Sequence, residues 1–133
     1  MIRRALGERL LDYGVRITKV VEAMPGTLAG RRIGDQLLRC GTSVGANYEE
    51  AQAAESKADF VHKLQLSLKE MRESNYWLQL LSKAKTLPPS RLEELINESH
   101  QLRAILSKAV ATAKGTAKCP LSIFDFCFLP FAF

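Results

Sequence analysis

Histidine and cysteine are scarce in this chain of 133 residues, limited to His62 and His100 and to Cys40, Cys119 and Cys127. An odd number of thiols in a chain large enough to bury its own core argues against a disulfide framework and fits a reducing cytoplasm. Long hydrophobic runs are missing as well. Arg3 and Arg4 are soon followed by Glu8, Arg9, Asp12 and Arg16, which leaves no apolar stretch for a signal peptide or a membrane span. No segment reads as a convincing strand, so no glycine-rich phosphate loop follows one. With only 8 Gly and 5 Pro, fibrous and low-complexity classes are excluded. A soluble, cytoplasmic chain with no membrane role is expected.

What is present is the stock of one globular domain: 47% hydrophobic and 25% charged residues, in a length that leaves too little sequence for a second core. The net charge of +5 is uneven. Residues 1–40 hold eight Lys/Arg against four Asp/Glu, residues 41–100 seven against nine, and residues 101–133 four against one. Basic ends around a slightly acidic middle favour contact with a polyanion, and equally keep a protein soluble.

Periodicity supplies the fold. Leu6, Leu10, Tyr13, Ile17, Val20, Val21 and Met24 recur at three- and four-residue spacing, the mark of a helix with one buried face, and Pro25-Gly26 ends it. A second helix runs from about Leu28 to Ala54, with Ile33, Leu37, Cys40 or Gly41, Val44, Tyr48 and Ala51 on one stripe. Gly34, Gly41 and Gly45 each cost that helix up to ~1 kcal/mol against alanine, which points to close helix contact. Ser56 with Asp59 resembles a capping box opening a third helix. That helix carries Phe60, Leu64, Leu68, Met71, Asn75, Leu78 and Leu81 and ends before Pro88-Pro89. Ser90 with Glu93 repeats the signal for a fourth, carrying Leu92, Leu95, Ile96, Ser99, Leu102, Ile105, Leu106 and Ala109. Four amphipathic helices on short connections predict an all-α, antiparallel up-down four-helix bundle over residues 1–114.

Residues 115–133 break the pattern. Five of the six phenylalanines lie there, with Phe124, Phe126 and Phe128 alternating between Pro120 and Pro130. A tail that is poorly ordered or packed on the bundle is expected, with a docking segment for a partner or a neighbouring subunit as the alternative.

Catalytic constellations are weak. A carboxylate-bridged metal pair needs two Glu-x-x-His units and two more inward carboxylates. Asp59-x-x-His62 imitates one unit, but Asn97 stands three residues before His100. Cys40 has no local base and lies on a mostly apolar stripe, where a cysteine is a small core residue. No catalytic residue, metal or cofactor is expected.

The unusual element is polar. Gln36, Cys40, Ser43, Asn47 and Glu50 form a seam along helix two with Arg39 at its edge, and Glu70, Glu73 and Trp77 make a similar row on helix three. Such rows satisfy one another between helices or subunits, with Arg39 or Arg72 pairing with Glu50 or Glu73, or else form an ordinary solvated face.

The run Gln36-Leu-Leu-Arg39-Cys-Gly-Thr-Ser43-Val-Gly-Ala-Asn47-Tyr-Glu-Glu50 resembles the helix-two signature of the four-helix-bundle proteins encoded in intervening sequences of bacterial large-subunit ribosomal RNA genes. Asp59-Phe60, Leu64, Leu66, Glu73 and Tyr76-Trp77-Leu78 resemble its third helix. The resemblance covers about residues 6–114. Ala51 departs from the glycine many members carry, and the Phe-rich segment lies outside the pattern. The resemblance implies a ring-shaped homopentamer without enzymatic activity, distantly similar to retroelement accessory proteins that bind nucleic acid and a reverse transcriptase. The leading expectation is therefore a homo-oligomeric adaptor that contacts RNA or DNA through Arg3, Arg4, Arg9, Arg16, Arg31, Arg32 and Arg39. The alternative is a structural module that meets a protein partner.

Overall fold

The structure, a computed structural model, describes residues 2–115, with side chains from Ala5 onward. It consists of α1 (Ile2–Glu22), α2 (Leu28–Gln52), α3 (Lys57–Lys83) and α4 (Pro89–Ala113). No strand occurs among the described residues. Apart from Gly115, the Phe-rich segment lies outside them.

Local chemistry sets the helix ends. Thr27 caps α2 by accepting a hydrogen bond from the Gly30 amide at 3.0 Å, and Ser56 caps α3 by accepting from the Asp59 amide at 3.0 Å. The Asp59 carboxylate in turn accepts from the Glu55 amide, close to the reciprocal arrangement of a capping box. The fourth helix departs from expectation: it begins at Pro89, with Pro88 as N-cap and no side-chain cap hydrogen bond. Proline at the first helical position has its φ already set and no N–H to satisfy. Ser90 is thereby drawn inside the first turn, where it no longer occupies the capping position.

Residue pairings fix the helix directions. On α2 and α3, Arg39 meets Glu70 and Glu73, Val44 meets Ser67, and Glu50 meets Lys63, so partners climb on one helix as they descend on the other. Leu10 lies against Gly45 and Ile17 against Gly41, which sets α1 antiparallel to α2. Arg9 with Glu98 and Arg16 with Glu94 do the same for α1 and α4. Consecutive helices share the larger contacts, while α1 and α4 touch least among neighbours.

The core follows the sequence stripes. Leu6, Leu10, Tyr13 and Ile17 from α1 meet Leu37, Val44, Tyr48 and Ala51 from α2, Phe60, Leu64, Met71, Leu78 and Leu81 from α3, and Leu92, Leu95, Leu102 and Leu106 from α4. A polar layer crosses it. Tyr13 of α1 shares a hydrogen bond with Ser74 of α3, across the diagonal of the bundle. The Asn75 amide donates to Ser99 at 2.6 Å, and Ser99 donates to the Ile96 carbonyl at 2.7 Å. Burial, partly offset by the Ser74 hydrogen bond, pushes the Tyr13 hydroxyl well above the ordinary phenol range, so it stays protonated and able to donate.

Close packing demands glycine at two positions of α2: Gly30, where a Cβ would run into the Pro25 carbonyl oxygen, and Gly41. A Cβ at Gly41 would stand 2.7 Å from Cγ2 of the fully buried Ile17. At Gly34 and Gly45 it would make ordinary contacts of 3.6 Å. Gly41→Ala should lower stability by about 1–2 kcal/mol, overpacking outweighing the gain in helix propensity. Gly34→Ala on the same helix should leave it unchanged or raise it by up to about 1 kcal/mol. Urea denaturation of the two variants checks the pair, and equal effects would mean that α1 and α2 do not approach as described.

Candidate interaction site

Where Gly41 brings α1 and α2 together, the outer side of the pair opens into a groove of about 620 Å³. Small residues shape it: Gly7 and Gly14 from α1, Gly45 and Ala46 from α2. A side chain added at Gly14 would meet nothing within 4 Å. Leu11 and Val15 border it at 69% and 52% exposure, and Leu38, 38% exposed, stands one turn before Thr42 on the α2 side. The two threonines at the groove already bond within their own helices, Thr18 to the Gly14 carbonyl at 2.9 Å and Thr42 to the Leu38 carbonyl at 2.6 Å. What the site offers is mainly apolar contact area, with Glu8 and Glu49 beside Gly7 as its charged residues. Sequence reading missed it because the core stripe of α1 drew the eye. The available signal was a second row, Gly7, Leu11, Val15 and Thr18, spaced four, four and three.

The polar seam divides into three parts. Arg39 is its anchor, donating to Glu73 at 2.5 Å, Glu70 at 3.1 Å and Gln36 at 3.3 Å. The pairing with Glu73 occurs as the sequence suggested, within one chain. Ser43 and Asn47 are half-buried and bond to their own helix instead, Ser43 to the Arg39 carbonyl at 2.6 Å and Asn47 to the Ser43 carbonyl at 2.9 Å. Glu50 accepts from Lys63 at 3.4 Å. Cys40 belongs to the core: it is fully buried and donates to the Leu37 carbonyl. Burial, with the nearby Glu73 charge adding, pushes its thiol up to about 12, which removes it as a nucleophile at neutral pH.

The seven candidate arginines are dispersed. Arg9 grips both carboxylate oxygens of Glu98, at 2.6 and 3.2 Å, Arg16 lies 4.0 Å from Glu94, and Arg39 is held as above. Arg31 donates to the Gly26 carbonyl at 2.6 Å, and Arg32 is exposed beside it. The side chains of Arg3 and Arg4 lie outside the described ones. Among the described residues no three His, Cys, Asp or Glu side chains gather as a metal would require, and no helix is long and apolar enough to cross a membrane.

These features define a class, a four-helix bundle whose recognisable sites are an ion-paired seam and an apolar groove. Residues 8–108 match the model of the 23S rRNA-intervening sequence protein family, and the chain belongs to that family. It is also similar to a crystal structure described as a protein of unknown function from the S23 ribosomal protein family of Bacteroides thetaiotaomicron VPI-5482. The two share 32% sequence identity over 83% of this chain and 98% of the other, with a TM-score of 0.72. No curated protein matches the chain.

The seam yields a pH test. Hydrogen bonding to Arg39 holds the Glu73 carboxyl below its ordinary value of 4.5. A carboxyl depressed in the folded state stabilises it above the unfolded value and loses that contribution as pH falls through the folded one. Both side chains are partly solvated, so the pair is worth on the order of 1 kcal/mol or less. Arg39→Gln should therefore be less stable than the parent at pH 7, with the gap closing below about pH 4.5. A gap that stays constant between pH 7 and pH 3 in urea titrations would remove Glu73 as the linked group.

Proposed function

We propose that this protein is a non-enzymatic, self-associating helical module whose assembly face is the α1/α2 groove. The observation that carries the reading is the exposed apolar row of Leu11 and Val15 beside a groove of about 620 Å³. Isolated apolar side chains on a surface are ordinary, but a contiguous pair bordering a concave site marks an interaction surface. The ion pairs of Arg9 and Arg39 support the same reading, because these two candidate arginines are matched by acids within the chain. Cyclic assembly, with five copies as the family resemblance implies, is the expected form. Leu11→Glu combined with Val15→Glu should convert the assembly to monomers while leaving helicity intact, since exposed substitutions shift stability by only about 0.5 kcal/mol. Light scattering coupled to size exclusion measures this, and an unchanged mass for the variant would sink the proposed face.

A second reading, an adaptor for RNA or DNA, is favoured by one observation. The end of the bundle where α1 and α3 finish and α2 and α4 begin carries Arg16, Lys19, Arg31, Arg32, Lys85 and Arg91. Arg16, Lys19 and Arg91 surround a depression of about 200 Å³ there. A ring would repeat this basic end and multiply its attraction for phosphates. Fluorescence anisotropy with structured RNA and duplex DNA should then show affinity falling steeply with salt, and Arg31→Glu with Arg32→Glu should weaken it at least roughly tenfold. Absence of binding at low salt would leave self-association as the whole function.

A further inference from the structure

The groove is open and mainly apolar, and the sequence beyond the described residues holds a segment of matching chemistry. Resting on the self-association reading above, we infer that the Phe-rich segment of one copy, centred on Phe124, Phe126 and Phe128, docks in the α1/α2 groove of a neighbouring copy.

Three observations support this. The first is chemical: Glu8 and Glu49 line the groove with Gly7, but between Leu11 and Thr18 its polar groups are two threonines hydrogen-bonded within their own helices, so that stretch suits an apolar, bulky ligand, and five of the six phenylalanines lie between Phe124 and Phe133. The second is dimensional. The groove runs from Gly7 to Thr18 along α1, about 16 Å at the helical rise. In an extended segment alternate residues face one side, so Phe124, Phe126 and Phe128 would span about 13 Å on one face. Gly14, with nothing within 4 Å of an added Cβ, leaves open space for a ring.

The third is direction. Arg9 stands level with Glu98 and Gln101, and α4 continues to Ala113. At the helical rise, Gly115 therefore lies about 20 Å beyond the groove's near end along the bundle axis. The end of α4 thus lies beyond the chain's own groove, so the segment enters a groove either by doubling back along the bundle or, as inferred here, by meeting that of a neighbouring copy. Groove and segment are then two unlike surfaces on every copy, and such heterologous contacts generate a closed ring when the rotation per copy permits.

The native thiols supply the test. In the full chain, Cys119→Ser leaves Cys127, between Phe126 and Phe128, as the reactive thiol of the segment, while Cys40 is buried and protonated. Adding Val15→Cys places a thiol at the groove. Mild oxidation followed by non-reducing electrophoresis should give bands at multiples of the single-chain mass that vanish when Cys127→Ser is added. A link formed only within one chain, or no Cys127-dependent link, would overturn the inference.

A second arm separates it from the reading it rests on. Phe124→Ser, Phe126→Ser and Phe128→Ser together in the full chain should raise the concentration of half-dissociation at least roughly tenfold, as loss of a cluster of aromatic anchors does. If the groove variant Leu11→Glu/Val15→Glu dissociates but the triple variant assembles like the parent, the groove is an assembly face with another occupant and this inference fails alone. If the parent chain is monomeric at all concentrations, both fall together.

Discussion

The closeness of α1 and α2 at Gly41 is the constraint on which the rest of the molecule depends. With no side chain on Gly41, Ile17 can lie against the α2 backbone, and the two helices share a deep apolar seam on their inner side. The same nearness shapes the outer side. Helices that approach through small residues leave little side-chain bulk on their flanks, so Gly7, Gly14, Gly45 and Ala46 leave a groove where a bulkier pair would present a ridge. Packing within the chain and the concavity facing out of it thus rest on different small residues of the same two helices.

Charge is organised on a different principle. Arg9 ties α1 to α4 through Glu98, and Arg39 ties α2 to α3 through Glu70 and Glu73. These pairs lie outside the core, where solvent weakens them, so they select which helices are neighbours more than they stabilise the fold. Of the candidate arginines, Arg31 and Arg32, which have no acidic partner among the described residues, are at the end of the bundle remote from Gly115. The Arg31/Arg32 end and Gly115 are thereby separated by the length of the bundle.

Much of the fold was legible because amphipathic helices write their burial into the spacing of apolar residues. Leu6, Leu10, Tyr13 and Ile17 are buried as the period requires, and so are Leu37, Val44, Tyr48 and Ala51. Ser56 caps α3 as its distance from Asp59 suggests. The start of α4 misled because two proline effects compete with a capping signal one residue away, and backbone geometry prevailed. The polar seam was legible only as a list of residue types. Spacing placed Arg39 near the acids of α3, but whether Ser43 and Asn47 face a partner or fold back onto their own carbonyls is decided by side-chain rotation, which spacing does not record. The groove was hidden for a related reason. A concavity is made of absent atoms, and glycines read along a helix as weakness before they read as space.

The polar layer within the core has a consequence for motion. Leucine-lined helices make nearly equivalent contacts when displaced by one turn, so an apolar core by itself tolerates sliding. Tyr13 with Ser74 and Asn75 with Ser99 do not. Moving α1 or α4 by one turn, about 5.4 Å, would separate these pairs and strand buried hydroxyl and amide groups in an apolar setting. The bundle therefore has a single stop along its axis, like a ratchet held by two pawls, and any rearrangement of its outer faces must proceed by tilting or rotation of whole helices and not by slippage.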